Sequence, residues 1–600
     1  MLFYIIEKLL AMRKLRKPKK FEKEKKARIM DRRIFVLRGF FIIFALIIAA
    51  KLFTVQVLDH QYYYALASDQ YEIFKQLYPV RGDIFVRDEK VGVINEDSLY
   101  PLATNKELSL VFAKPYEIQD SEEVMEALKE VFHIDNEEEE KEILEKLNKE
   151  NDPYEPIWHR VDDNTVQRLK DLNLQGIYFA PEKTRYYPEG NIGSHILGFV
   201  NYSESKGNYG TEGCYDEVLA GKAGFLQSEL DSLGRWISVS NKRFEKAEDG
   251  ADIILTIDKS IQFFACDQLN KAVESYNAQS GSLIIMEPNT GKIIAMCGSP
   301  DYDPNNYNKV SDIDVFNVQA VSDVYEPGSI FKTITMAAAI DAGKVDPYTT
   351  YNDTGSVTIA DHTIRNSDGE GHGIKNMTNV LEESLNTGSI FAARQLGVGV
   401  FKNYVENFGF GQKTDIGLTP EFAGDISSLE KPGEIYMATG SFGQGITTTA
   451  IQMANAYAAI VNGGNLVKPY IIDEIRHNDG TVEKTEPQVL RQVISERTSA
   501  LVKGMLISVV KNGHAEPAGV PGYLVGGKTG TAQVPDKVHG GYSAETIHSF
   551  VGFAPLEDPK FVMIVKIDKP HRAYAVLTAA PTFGKISKFV LEYYGIPPTE

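Results

Sequence analysis

Tyr325-Glu326-Pro327-Gly328-Ser329-Ile330-Phe331-Lys332 is the stretch on which the fold turns. Pro327-Gly328 is a turn signal. Apolar residues then recur at helical spacing (Ile330, Phe331, Ile334, Ala337, Ala338, Ile340), with Gly343 as a stop. The spacing predicts a helix opening at or near Ser329. Residues three apart share a helix face, so the Lys332 amine can reach the Ser329 hydroxyl. A serine hydroxyl is a weak nucleophile until a base takes its proton. A lysine becomes that base when burial or a second cation lowers its pKa. A helix N-terminus also leaves the Ser329 backbone N–H able to face an oxyanion. Alone the pattern is weak, because Ser-x-x-Lys recurs at Ser203 to Lys206 in a Tyr/Asn/Gly-rich loop.

Two further stretches give it weight. Ser384-Leu385-Asn386 lies in a run of helical character, Val380 to Asn386, and Lys528-Thr529-Gly530-Thr531 lies in Tyr523 to Gln533, which reads as a strand. Ser-x-x-Lys, Ser-x-Asn and Lys-Thr-Gly, in that order, form the signature of penicillin-binding proteins and class A β-lactamases.

The chain has 600 residues, too many for one core, with 43% hydrophobic and 24% charged residues, ordinary for a folded protein. Its net charge of −19, with no basic face outside the N-terminus, argues against nucleic acid as a partner. Cys214, Cys266 and Cys297 are odd in number and lack metal-type spacing, and are expected as buried small hydrophobes. A basic lead (residues 1–33) precedes an apolar stretch, 34–56, long enough to span a bilayer, with Arg38 and Lys51 near its ends. The positive-inside bias places the lead in the cytoplasm and the remainder outside the cell membrane. A cleaved signal peptide or a buried core helix are the rivals; the long lead and the lack of a small-x-small cleavage site disfavour the first.

A partly apolar juxtamembrane segment, Gln56 to Leu77, is expected to be helical, and Pro79 to Asp88 opens a strand-rich region. From Tyr116 to Asn151 the chain is acidic and helical; the run Glu137 to Glu140 reads as a solvated face. From Ser260 onward the texture is that of one compact domain. Two early strands (Ser282 to Met286, Lys292 to Met296) and three late ones (Gly522 to Gln533, Ser549 to Ala554, Phe561 to Ile567) flank a helical middle. This pattern implies one antiparallel sheet, left and re-entered by the chain and covered by helices. The expected α+β multidomain architecture is thus a tail (1–33), a single N-terminal transmembrane helix (34–56), a strand-rich non-catalytic pedestal (57–259) and a catalytic domain (260–600).

From the anchor to the last helix the chain resembles the class B, monofunctional penicillin-binding proteins. Supporting stretches are Tyr325 to Lys332, Ser441-Phe442-Gly443-Gln444-Gly445-Ile446, Gly526 to Gln533 and Ser549 to Pro555, and their wording is closest to the division (septal), FtsI-like branch. Arg81-Gly82-Asp83-Ile84 and Arg185 to Gly190 resemble the family's pedestal motifs, with Val86 where the family has an aspartate. The resemblance implies a peptidoglycan D,D-transpeptidase with a serine β-lactamase/penicillin-binding-protein-like catalytic domain and a dimerisation pedestal. Ser329 would attack the penultimate D-alanine carbonyl of a stem peptide, and Lys332 would take its proton. Ser384 would relay a proton to the leaving amine, Asn386 would hold Lys332 and the substrate amide, and Lys528 would supply a positive field. Thr529, Gly530 and Thr531 would bind substrate, the Thr531 N–H completing the oxyanion hole. An amine of a neighbouring stem peptide would then take the acyl group. The resemblance also implies covalent inhibition by β-lactams and a polytopic glycosyltransferase and other cell-wall or division proteins as partners. This chemistry needs no metal or cofactor; His362 and His372 read as structural or solvated.

A β-lactamase would need a deacylating base, and no such residue is evident. A β-lactam sensor would need a cytoplasmic output domain, which the basic tail is not. A catalytically silent division scaffold would not need all three motifs intact.

Overall fold

The computed structural model describes residues 72–77, 79–88, 99–149, 152, 154–202, 205–229, 243–536 and 539–598. The expected transmembrane segment 34–56 and Ser203 lie outside them. Among the described residues no helix is long and apolar enough to cross a membrane. The chain divides into two units. In the smaller, Glu72–Leu77 pairs antiparallel with Gly224–Glu229, which pairs with Arg243–Glu245. The end of the segment expected to be helical is therefore a strand, its conformation set by a partner far away in sequence.

The larger unit carries the antiparallel sheet that the sequence implies. Its strands lie in the order Ile293–Ser299, Ser280–Met286, Phe561–Asp568, Tyr542–Ala554 and Gly526–Pro535. Every residue of Phe561–Asp568 is buried, as a strand with helices on both faces must be. Helices Lys259–Ser275 and Ala579–Tyr593 pack together, the Phe264 and Phe589 rings stacking at 4.1 Å. Helix Ala450–Val461 is buried along its whole length, packed on the sheet and on the nucleophile segment. There the Tyr457 hydroxyl lies 2.8 Å from both Ile330 O and Thr333 Oγ1. A helix enclosed in this way shows no polar stripe.

Cys266 and Cys297, expected as separate buried thiols, instead form a disulfide between helix Lys259–Ser275 and strand Ile293–Ser299. A spacing of 31 residues is no disulfide signature, and only the packing of that helix over that strand brings the sulfurs together. Cys214 is free.

In the pedestal portion, Tyr100–Ala113 pairs with Ile84–Arg87, Glu155–Val161 and Ile177–Tyr186. Ile84–Arg87 runs parallel to Asp252–Asp258, which pairs in turn with Ile472–Arg476. The sheet thus takes strands from both sides of Ser260, and the change of texture there is not a break in the sheet. Val86 is fully buried, and Arg87 finds its carboxylates across this junction, ion-pairing with Asp473 and, at 3.0 Å, with Glu474. The acidic segment forms helices Ser121–Phe132 and Glu137–Leu147, whose Val124, Met125, Leu128, Ile143 and Leu147 close a second core over Val111 and Ile157. Glu137 to Glu140 occupy the first turn of their helix, where the macrodipole favours carboxylates. The two pedestal motifs meet on one fully buried residue: the Glu212 carboxylate accepts from Arg81 Nε at 2.8 Å and from Arg185 Nε at 2.6 Å.

Candidate active site

Ser329 sits in a 3-10 turn, Gly328–Phe331, that runs directly into the α-helix Lys332–Asp341. The helix expected at Ser329 therefore begins as a tighter turn. Gly328 makes this possible: its φ is +59°, and a Cβ there would lie 3.1 Å from the Ala532 Cβ. The turn is pinned from behind. Tyr325 and Thr448 exchange backbone hydrogen bonds of 2.9 Å, and the Gly328 N–H donates to Gly443 O at 3.0 Å. Ser329 is only half-buried, and its hydroxyl makes no hydrogen bond to a described residue.

Lys332 is buried and points at the second motif. Its Nζ donates to Ser384 O at 2.5 Å and lies 3.2 Å from Ser384 Oγ. The run expected to be continuous helix is broken here: Met377–Glu382 ends, Ser384 takes φ +58°, and Asn386 opens a new helix, Asn386–Leu396. A non-glycine residue in the left-handed region is uncommon and persists only where its surroundings hold it. At Ser384 that conformation accompanies a backbone carbonyl turned onto the Lys332 amine. Asn386 does not hold Lys332; its Nδ2 donates to Arg365 O at 2.8 Å.

The next residue anchors the break. Thr387 Oγ1 donates to Asp353 Oδ1 at 2.7 Å, the Thr387 N–H reaches Asn366 Oδ1 at 3.2 Å, and Asn366 Nδ2 donates back to Asp353 at 2.9 Å. Asp353 and Asn366 support the second motif, yet no local sequence pattern marks them, since each is an ordinary polar residue near a hairpin. His372 pairs with Asp368 and lies 3.7 Å from Glu383, while His362 is exposed. Among the described residues no His/Cys/Asp/Glu cluster could hold a metal ion.

The third motif lies on Gly526–Pro535, the strand at the edge of the sheet. Lys528, Gly530 and Ala532 are buried and face the nucleophile turn, alternating with the half-buried Thr529 and Thr531. Gly530 is needed for close approach: a Cβ there would lie 3.1 Å from Pro327 O and from Ile330 Cγ2, and 2.5 Å from Ser549 Oγ. Lys528 Nζ donates to Thr529 O at 3.2 Å and lies 3.4 Å from Thr529 Oγ1. Thr531 Oγ1 accepts the Ala575 N–H at 3.1 Å, which fixes the hydroxyl and leaves its hydrogen able to donate.

Both lysines are only 1% exposed, and burial dominates their electrostatics. It brings Lys528 down to about 7. Burial, then the neighbouring Lys528 charge, push Lys332 well below the ordinary lysine range. A neutral amine is thus favoured at Lys332, next to a second amine able to carry the charge. That arrangement can deprotonate a hydroxyl at neutral pH.

The chain is similar to known proteins over most of its length. Residues 281–588 match the penicillin binding protein transpeptidase domain, and residues 76–255 match the penicillin-binding protein dimerisation domain. The chain belongs to the penicillin-binding protein transpeptidases. This penicillin-binding protein is 35% identical over 580 residues to stage V sporulation protein D of Bacillus subtilis, covering 95% of this chain and 87% of that one. It is 30% identical to the probable peptidoglycan D,D-transpeptidase PenA of Neisseria gonorrhoeae, over 97% of each chain. It is also similar to solved penicillin binding protein 3 of Mycobacterium tuberculosis in complex with aztreonam. That likeness has a TM-score of 0.66 and 25% identity, covering 88% of this chain and 98% of the other.

Proposed function

We infer that this penicillin-binding protein is a peptidoglycan D,D-transpeptidase working through an acyl-enzyme on Ser329. The observation that carries the reading is the buried Lys332 amine, three residues after the half-exposed Ser329, hydrogen-bonded to Ser384 and with its pKa lowered by burial and by Lys528. Ser329 Oγ attacks the carbonyl of the penultimate D-alanine while its proton passes to Lys332. The oxyanion is met by backbone N–H groups at the helix start and on the strand edge, Ser329 and Thr531. As the tetrahedral species collapses, the terminal D-alanine leaves as an amine, its proton delivered from Lys332 by way of Ser384 Oγ. The ester then takes an amine from a second stem peptide by the reverse path. Lys528 and Thr529 attract the substrate carboxylate, and Asn386, on the same cleft wall, contacts the substrate amide. A β-lactam enters as a mimic of the donor and stays as the ester.

The chain is further read as a single-pass membrane protein, with residues 34–56 spanning the bilayer and the catalytic domain outside. The basic lead supports this, as does the Cys266–Cys297 disulfide, a bond that persists in oxidising compartments. Its partners are then a polytopic glycosyltransferase and other division proteins at the septum. The 35% identity to a sporulation protein favours a second reading of when it works, with the same chemistry used in building a spore wall.

A fluorescent penicillin tests the core of this. It should label the full-length chain covalently, Ser329→Ala should lose the label, and Lys332→Ala should fold yet acylate several orders of magnitude more slowly. Label that survives Ser329→Ala moves the nucleophile elsewhere. A protein that never labels is a scaffold, and one that sheds the label rapidly is a hydrolase.

A further inference from the structure

The strand pair that carries the third motif outruns the sheet. Ile547 to Phe553 are paired on both sides, with Phe561–Asp568 and with Gly526 to Ala532. Beyond them, Tyr542 to Thr546 pair only with Gln533 to Pro535, and the register slips between Gln533 and Pro535. The Lys569 N–H to Thr546 O bond, 2.9 Å, ties the ribbon to the sheet near this point. A two-stranded ribbon is marginal by itself and twists strongly, so its outer end has no fixed position without a tertiary contact.

Near its root Glu545 ion-pairs with Lys569 at 2.8 Å; farther out, Tyr542 is held by Glu326. The Tyr542 hydroxyl donates to Glu326 Oε2 at 2.9 Å, and Glu326 Oε1 accepts the Gly445 N–H at 3.0 Å. Glu326 is 8% exposed and stands three residues before Ser329, in the segment pinned by Thr448 and Gly443. Burial pushes its carboxyl up, an effect the Gly445 and Tyr542 donors partly offset. Tyr542 is 42% exposed, so core packing does not hold its ring. At its root the same ribbon touches the nucleophile turn, Ala532 against Gly328.

We propose that Glu326 is a positioning residue that clamps the outer end of this ribbon, through Tyr542, to the nucleophile turn and the Gly445 loop, and so sets the gap between the Lys528 strand and Ser329. A carboxylate joins a hydroxyl and a backbone amide on two separate segments. Released, the ribbon swings about its root at Thr546, and the strand edge that receives substrate moves with it. The clamp rests on Ser329 being the nucleophile.

The test is the rate of acylation of the full-length chain by a fluorescent penicillin, with thermal melting alongside. Tyr542→Phe removes one hydroxyl and keeps the ring. It should slow acylation on the order of 10- to 100-fold, the scale of a small misplacement at a reacting centre, at an unchanged melting temperature. Glu326→Ala should slow it similarly, and the double variant no further. Glu326→Gln, which can still accept from Gly445 and meet Tyr542, should restore nearly the wild-type rate. Tyr542→Phe acylating at the wild-type rate, with Ser329→Ala unlabelled, would end the clamp and leave the nucleophile assignment standing. Additive losses in the double variant would also end it, since the two residues would then act separately. Label on Ser329→Ala would remove both readings.

Discussion

Replacing Lys528 with methionine should change how stability depends on pH. In the folded chain Lys528 is 1% exposed and titrates at about 7 because burial disfavours the ammonium. In the unfolded chain it returns to about 10.4. Between those values the unfolded chain binds a proton that the folded chain does not, so this residue makes stability rise with pH across that window. Integrating the two titrations, the buried amine costs about 4 kcal/mol at pH 7 and about 2 kcal/mol at pH 9. Wild type should therefore gain about 2 kcal/mol more than Lys528→Met between those pH values. Lys332 contributes in both proteins; without the Lys528 charge it is lowered less in the variant, so it does not cancel fully, and what remains adds to the difference in the same direction. Urea unfolding followed by circular dichroism at pH 7 and 9 measures it. The same variant loses the cation that lowers Lys332, so its penicillin acylation should be slow at pH 7 and recover as pH rises. Parallel stability changes in the two proteins would refute the reasoning, because Lys528 would then remain an ammonium inside the fold.

Gly530→Ala forces a methyl to within 3.1 Å of Pro327 O and Ile330 Cγ2, where only a shift of the edge strand relieves it. Overpacking of this kind costs about 1–3 kcal/mol, and acylation should fall by about tenfold or more, read from melting and labelling together; a wild-type labelling rate would mean that the strand need not stand so close. Arg185→Met leaves the fully buried Glu212 with Arg81 as its only arginine partner, which should destabilise the chain by about 3 kcal/mol. An unchanged melting temperature would show that Glu212 is protonated or hydrated in the fold.

The amino-acid sequence by itself determined the candidate nucleophile, the candidate base and the order of the three motifs, because each is a short pattern whose spacing has a local physical meaning. It determined the antiparallel sheet for a similar reason: strands such as Phe561–Asp568, buried on both faces, open with an apolar run, here Phe561 to Val565. What it could not determine was everything set by a partner distant in the chain. Glu72–Leu77 is a strand because Gly224–Glu229 lies beside it, and Arg87 is neutralised by Asp473 and Glu474. Cys266 meets Cys297 because a helix crosses a strand. Ser384 leaves the helix, against the periodicity around it, in a site braced by Asp353 and Asn366, where its carbonyl receives Lys332. Local periodicity carries no information about such contacts. Only the closed tertiary structure makes the Ser384 conformation affordable and buries both lysines deeply enough to change their chemistry.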